Sequence, residues 1–133
     1  MRRPACENVG RMGHPVYSDT FLDHFQNPRN VGELTAPAIT VEVSNPVCGD
    51  ILRLSAEFNG DHVTAVAYKA RGCTASIAAG SALTEWMTGK TREEIAGFRP
   101  SSVEDALGGL PAESKHAAVL CADGVKALLK LKA

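Results

Sequence analysis

The sequence predicts an α+β fold in which a three-stranded antiparallel sheet packs against helices, and three observations carry that prediction. Three consecutive segments between residues 39 and 70 alternate apolar and polar side chains with period two. Short turn-forming links join them, and antiparallel pairing is the simplest consequence of such links. From Thr74 onward the composition switches abruptly to alanine-rich helical spacing, so helices follow the strands instead of alternating with them.

Taken in order, residues 1–16 contain Gly10, Gly13 and Pro15 with few apolar residues, and are expected to form a loose tail. Residues 17–133 are then expected to form one domain. A first helix is expected from near Ser18, because Tyr17, Phe21, Leu22 and Phe25 fall on one helical face. The turn formers Asn27-Pro28-Arg29-Asn30-Val31-Gly32 end it. Ile39–Ser44 sets Ile39, Val41 and Val43 against Thr40 and Glu42, the pattern of a half-buried strand. Ile51–Phe58 repeats that pattern, and Asn59-Gly60-Asp61 turns it into a third strand, His62–Ala70. Thr74–Thr88 is a helix stopped at Gly89, with Cys73 just before its amino terminus, where the macrodipole stabilises negative charge on sulfur. Thr91-Arg92-Glu93-Glu94 is a capping-box pattern that opens a short helix. Ser102–Leu107 suggests another, closed by Gly108-Gly109. The last helix is expected over Ser114–Leu131, with Ala118, Cys121, Val125 and Leu128 as its apolar stripe.

Bulk properties exclude several function classes. The chain has 133 residues, 44% hydrophobic and 22% charged, with a net charge of −1. That balance carries no basic footprint for a nucleic acid. No apolar run approaches the roughly 18 residues that span a bilayer, so no membrane is implied. The amino end, Met1-Arg2-Arg3-Pro4-Ala5, has no apolar segment behind it and does not read as a secretory signal. Four cysteines without an export signal point to reduced thiols and a cytoplasmic location.

The chemistry lies in two cysteine phrases, Asn45-Pro46-Val47-Cys48-Gly49-Asp50 and Arg71-Gly72-Cys73-Thr74-Ala75-Ser76. In a three-strand meander the Cys48 turn and the end of the third strand share one sheet end, so topology brings the two thiols together. Asp50 adds an oxygen in the same loop, and His116 adds a nitrogen where the last helix opens. Two sulfurs, one oxygen and one nitrogen suit zinc and are tolerable for iron, and sulfur-rich sets also suit iron–sulfur clusters. Each residue alone has a plainer role: a lone cysteine is more often a small buried hydrophobe, and an aspartate at a turn more often bonds its own backbone. A lone histidine where a helix opens is more often a surface residue, so the conjunction carries the reading. Cys6 reads as a tail bystander and Cys121 as core. His14, His24 and His62 have no partner pattern. Trp86 and Met87 read as packing residues. Ser76 and Ser81 have no neighbouring base pattern, which leaves a serine nucleophile unsupported.

In these residues the chain closely resembles the iron–sulfur cluster assembly scaffold family, the IscU and NifU amino-terminal type with its SufU relatives. The similar stretches are Tyr17-Ser18 through His24, Asn27 through Gly32, Asn45 through Asp50, Gly72 through Ser76, and Thr84 through Thr91. The likeness continues to Leu110-Pro111 and the last helix. It implies an IscU/SufE-like sandwich and a scaffold or carrier rather than an enzyme. It also implies a labile [2Fe–2S] cluster, sulfur taken from a cysteine desulfurase, and delivery to apo iron–sulfur proteins. Cys48 and Cys73 match two cluster-ligand cysteines, Asp50 matches the aspartate linked to cluster lability, and His116 matches the histidine before a third cysteine. That third cysteine is absent, because the chain reads His116-Ala117. The chaperone-read Leu-Pro-Pro-Val-Lys segment appears here as Leu110-Pro111-Ala112-Glu113-Ser114, which leaves chaperone hand-off open. The insertion typical of SufU relatives is also missing. The leading expectation is an assembly scaffold with a metal site of Cys48, Asp50, Cys73 and His116. The alternative is a divergent relative that binds Zn2+ or Fe2+ as a carrier, sulfur acceptor or regulator without building clusters. An interaction module without metal and a hydrolytic zinc enzyme rank below these.

Overall fold

Alternating strand residues need one dry face, and the helices that follow supply it. A computed structural model describes residues 18–45, 49–110 and 114–132. The tail expected over residues 1–16, with Cys6 and His14, lies outside the described residues, as does Cys48. Among the described residues the order is α1 (Asp19–Gln26), β1 (Ile39–Asn45), β2 (Asp50–Asn59), β3 (His62–Arg71), α2 (Thr74–Met87), α3 (Arg92–Ala96), α4 (Pro100–Ala106) and α5 (Lys115–Lys132). The sheet is an antiparallel meander in the order β1-β2-β3. This is the α+β architecture expected from the sequence.

The register explains the alternation. Val41, Leu54 and Tyr68 are cross-strand partners and all three are buried. The adjacent row, Glu42, Arg53 and Lys69, faces the other way. There Arg53 Nη1 donates to Glu42 at 3.1 Å and Nε donates to Glu33 at 2.9 Å. Helix α5 packs on β1 and β2, and α2 packs on β3. Leu52, Leu54, Leu83, Ile95 and Leu128 are fully buried between these layers, each worth roughly 1.5–3 kcal/mol relative to exposure.

Element ends differ from the sequence reading by a residue or two, for identifiable reasons. The β1–β2 ladder runs on to the pair Asn45↔Asp50, which takes Asp50 out of the loop and makes it the first residue of β2. Helix α4 starts at Pro100 rather than Ser102, since proline fits the first helical turn. The capping box at Thr91 is present in full: Glu94 N–H donates to Thr91 Oγ1, and Thr91 N–H donates to Glu94 Oε1. Cys121 is buried on α5 with Ala118, Val125 and Leu128, as the apolar stripe requires.

Two close approaches set the layer spacing. A Cβ added at Gly80 of α2 would lie 2.4 Å from the Tyr68 ring, and that ring is anchored by its hydroxyl donating to Ile77 O at 2.7 Å. Small residues on α2, among them Ala75, Ala78, Ala79 and Ala82, are all buried, which lets this helix sit between the sheet and its helical neighbours.

His24, for which the sequence shows no partner pattern, is buried and joins α1 to α2. The Ser81 hydroxyl oxygen accepts from Arg29 N–H at 2.9 Å, so its proton is free for His24 Nδ1 at 2.7 Å. A neutral imidazole with its proton on Nε2 then satisfies Ser81 and also faces Glu85 at 3.6 Å. Burial, helped by the positive charge of Arg29, lowers the His24 pKa below 6.5, with Glu85 and Asp23 opposing.

Two stability predictions follow from these contacts. Gly80→Ala should destabilise the fold by about 1–3 kcal/mol in denaturant titration despite alanine's better helix propensity, because the Tyr68 ring has nowhere to go. A histidine with a depressed folded pKa stabilises fully above its unfolded value near 6.5, and that contribution is lost as pH falls below it. The melting temperature should therefore drop between pH 7.5 and 5.5, and His24→Gln should flatten that slope while lowering stability at pH 7.5.

Candidate metal centre

One end of the sheet gathers three donor side chains from three different elements. Asp50 opens β2 opposite Asn45, and Ile51 pairs with Arg71, so the exit of β3 lies at the same end. Only Gly72 separates Arg71 from Cys73, which is the N-cap of α2. Gly72 has φ +136°, and a Cβ there would sit 2.1 Å from Asp50 Oδ1. Glycine is what allows this link to run against the carboxylate. His116 comes from the first turn of α5, whose adjacent Lys115 pairs with Glu104 of α4 at 2.8 Å.

The three ligand atoms form a compact triangle. Asp50 Oδ2 lies 3.1 Å from His116 Nε2 and 3.4 Å from Cys73 Sγ, and Sγ lies 3.5 Å from Nε2. Metal bonds of 2.0–2.3 Å in a tetrahedron place neighbouring ligands about 3.3–3.8 Å apart. The observed separations therefore come close to one face of a tetrahedral site. Without an ion, the thiol and the imidazole N–H can each donate to the carboxylate, and a metal would replace those protons. The donor set, one sulfur, one nitrogen and one oxygen, fits Zn2+ or Fe2+.

Asp50 is only 3% exposed, whereas Cys73 is exposed and His116 partly so. Burial pushes the Asp50 carboxyl up. Hydrogen bonds from the Ser76 hydroxyl and from Cys73, with the His116 imidazole nearby, outweigh that and hold it below its ordinary value. Asp50 is accordingly a carboxylate, ready to bind a cation.

Of the four expected site residues, Asp50, Cys73 and His116 come together. Cys48 lies outside the described residues, but its chain neighbours Asn45 and Gly49 are at this sheet end, with Gly49 N–H donating to Asn45 O at 2.7 Å. Cys121 takes no part: burial pushes its thiol up to about 12. The residue that sequence reasoning missed is Ser76, whose hydroxyl donates to Asp50 Oδ2 at 2.6 Å. Its spacing of three from Cys73, one helical turn, was the available signal.

Comparison with known proteins places the chain in a family context. The NifU-like N terminal domain family matches residues 16–131. The iron-sulfur cluster assembly scaffold protein IscU of Azotobacter vinelandii is 40% identical over 119 residues, covering 86% of this chain and 92% of that protein. IscU 1 of Archaeoglobus fulgidus is 40% identical over 111 residues, covering 84% of this chain and 72% of that protein. Two solved structures share the fold. One, from Fervidobacterium islandicum, is described as a SUF-system scaffold, with TM-score 0.72 at 20% identity over 87% of this chain and 98% of its own. The other is a NifU-like protein from Brucella abortus, with TM-score 0.71 at 20% identity over 92% of this chain and 99% of its own.

The contact between Gly72 and Asp50 makes a direct prediction. Gly72→Ala should push the carboxylate out of the triangle and weaken Zn2+ affinity roughly 10- to 100-fold, the usual cost of disturbing a ligand's support. Competition with a chromophoric chelator measures this, and an unchanged affinity would show that Gly72 does not place Asp50.

Proposed function

The chain belongs to the family of NifU-like N-terminal domains, and from that premise we propose that it is an assembly scaffold for iron–sulfur clusters. The observation that carries this reading is the Asp50–Cys73–His116 triangle, whose edges of 3.1, 3.4 and 3.5 Å come close to those of a tetrahedral site, at one sheet end. Cys48 would complete the set, giving two thiolates, one carboxylate oxygen and one imidazole nitrogen for iron or a [2Fe–2S] cluster as cargo. Oxygen and nitrogen donors bind iron less tightly than the four thiolates of a permanent cluster site, which suits a cargo that has to leave. The scaffold holds and hands over this cargo rather than turning over a substrate.

Sulfur would arrive as the terminal atom of a persulfide on a cysteine desulfurase. A scaffold thiolate attacks that sulfur, a new S–S bond forms on the scaffold, and the desulfurase cysteine leaves as its own thiolate. Cys73 is exposed and can reach a partner's persulfide to make this attack, while Cys121 is buried and cannot. Apo iron–sulfur proteins would receive the finished cluster. Among the described residues no helix is long and apolar enough to cross a membrane.

A second reading is favoured by one position. Where the resembling family has a cysteine beside this histidine, the chain has Ala117, buried to 1%. Alanine neither ligates iron nor accepts sulfur, so a Zn2+- or Fe2+-binding carrier or regulator without cluster assembly is the alternative.

One experiment separates the two. Anaerobic reconstitution with iron, a desulfurase and cysteine should give visible cluster absorbance and transfer to an apo-ferredoxin, and Ala117→Cys should raise the yield several-fold. Stoichiometric zinc with no cluster signal would support the alternative. No bound metal of any kind would count against both.

A further inference from the structure

Ser76 is buried to 3% in the first turn of α2, one turn beyond Cys73. It does not cap that helix: Cys73 occupies the N-cap and makes no side-chain capping bond. A serine hydroxyl has a single proton to donate, and this one goes to Asp50 Oδ2 at 2.6 Å. That is shorter than the approach of His116 at 3.1 Å or Cys73 at 3.4 Å to the same oxygen. The other oxygen, Oδ1, lies against Gly72, where even a Cβ would come within 2.1 Å. Oδ2 is thus held by a hydroxyl outside the donor triangle as well as by the donors themselves, and Oδ1 packs on the bare Gly72 backbone.

We propose that Ser76 is a positioning residue of the metal centre, holding Asp50 so that it binds through Oδ2 alone. The inference rests on the metal-centre reading above and adds a residue and a binding mode to it. With Oδ2 tied to a rigid helix and Oδ1 packed on Gly72, the carboxylate cannot rotate to chelate with both oxygens. Without the hydroxyl, Asp50 gains that freedom and loses its preset aim.

Cobalt(II) titration of the full chain tests this, since four-coordinate cobalt has strong visible bands that weaken on expansion to five ligands. Ser76→Ala, which keeps a good helix former at the position, should lower cobalt affinity roughly tenfold and weaken those bands. In an Asp50→Ala background, which leaves the Ser76 hydroxyl no carboxylate to donate to, the same substitution should change affinity less than about twofold. Equal losses in both backgrounds, or unchanged affinity and spectrum for Ser76→Ala, would overturn the proposal and leave the metal centre standing. No cobalt binding by the unsubstituted chain would overturn both.

Discussion

A carboxylate buried at the end of a sheet is the constraint around which this fold is arranged. A charge taken out of water is costly unless it is hydrogen-bonded or paired, and Asp50 is only 3% exposed. Its partners come from the start of α2, through Ser76 and Cys73, and from the start of α5, through His116. Each partner sits where a helix begins, so satisfying one side chain fixes two helix entries against the sheet. The same contacts leave a sulfur and a nitrogen facing an oxygen at coordination distance.

The meander makes this convergence economical. One reversal of direction, at the β2–β3 turn, returns the chain to the sheet end where β2 started, and only Gly72 and Cys73 are needed to turn into α2. A left-handed glycine at that turn brings the link against Asp50 without a side chain in the way. Further back, Gly80 does the equivalent for Tyr68, letting α2 lie close to β3 along its length. The helix that carries Cys73 and Ser76 is therefore held at its start by polar contacts and at its middle by packing. Such double anchoring keeps a donor set in place without a bound ion.

Much of this was legible in the sequence, because it depends on local periodicity. Val41, Leu54 and Tyr68 sit in strands whose alternation marks the buried face, and Thr91 and Glu94 are a capping pattern readable in four letters. That Asp50 and Cys73 share one sheet end was legible because short links force strand ends together. What stayed hidden depends on distances between elements. His24 found its partner 57 residues away in the chain, which no local pattern shows, and the spacing of Ser76 from Cys73 hints at its neighbourhood but not at its partner 26 residues away. The close approaches of Gly72 and Gly80 are equally invisible in sequence, since a glycine needed for a turn and one needed for contact look alike.

The centre is asymmetric in a way that bears on what it can hold. Its oxygen is buried and braced from within, whereas Cys73 is exposed and His116 partly so. An ion would enter and leave on the sulfur and nitrogen side, with the carboxylate as a fixed floor. Cys121 adds no donor to that open side: five residues beyond His116 it lies about 140° around the helix, deep in the apolar stripe. The described donors thus number three, two on the open side and one buried beneath them.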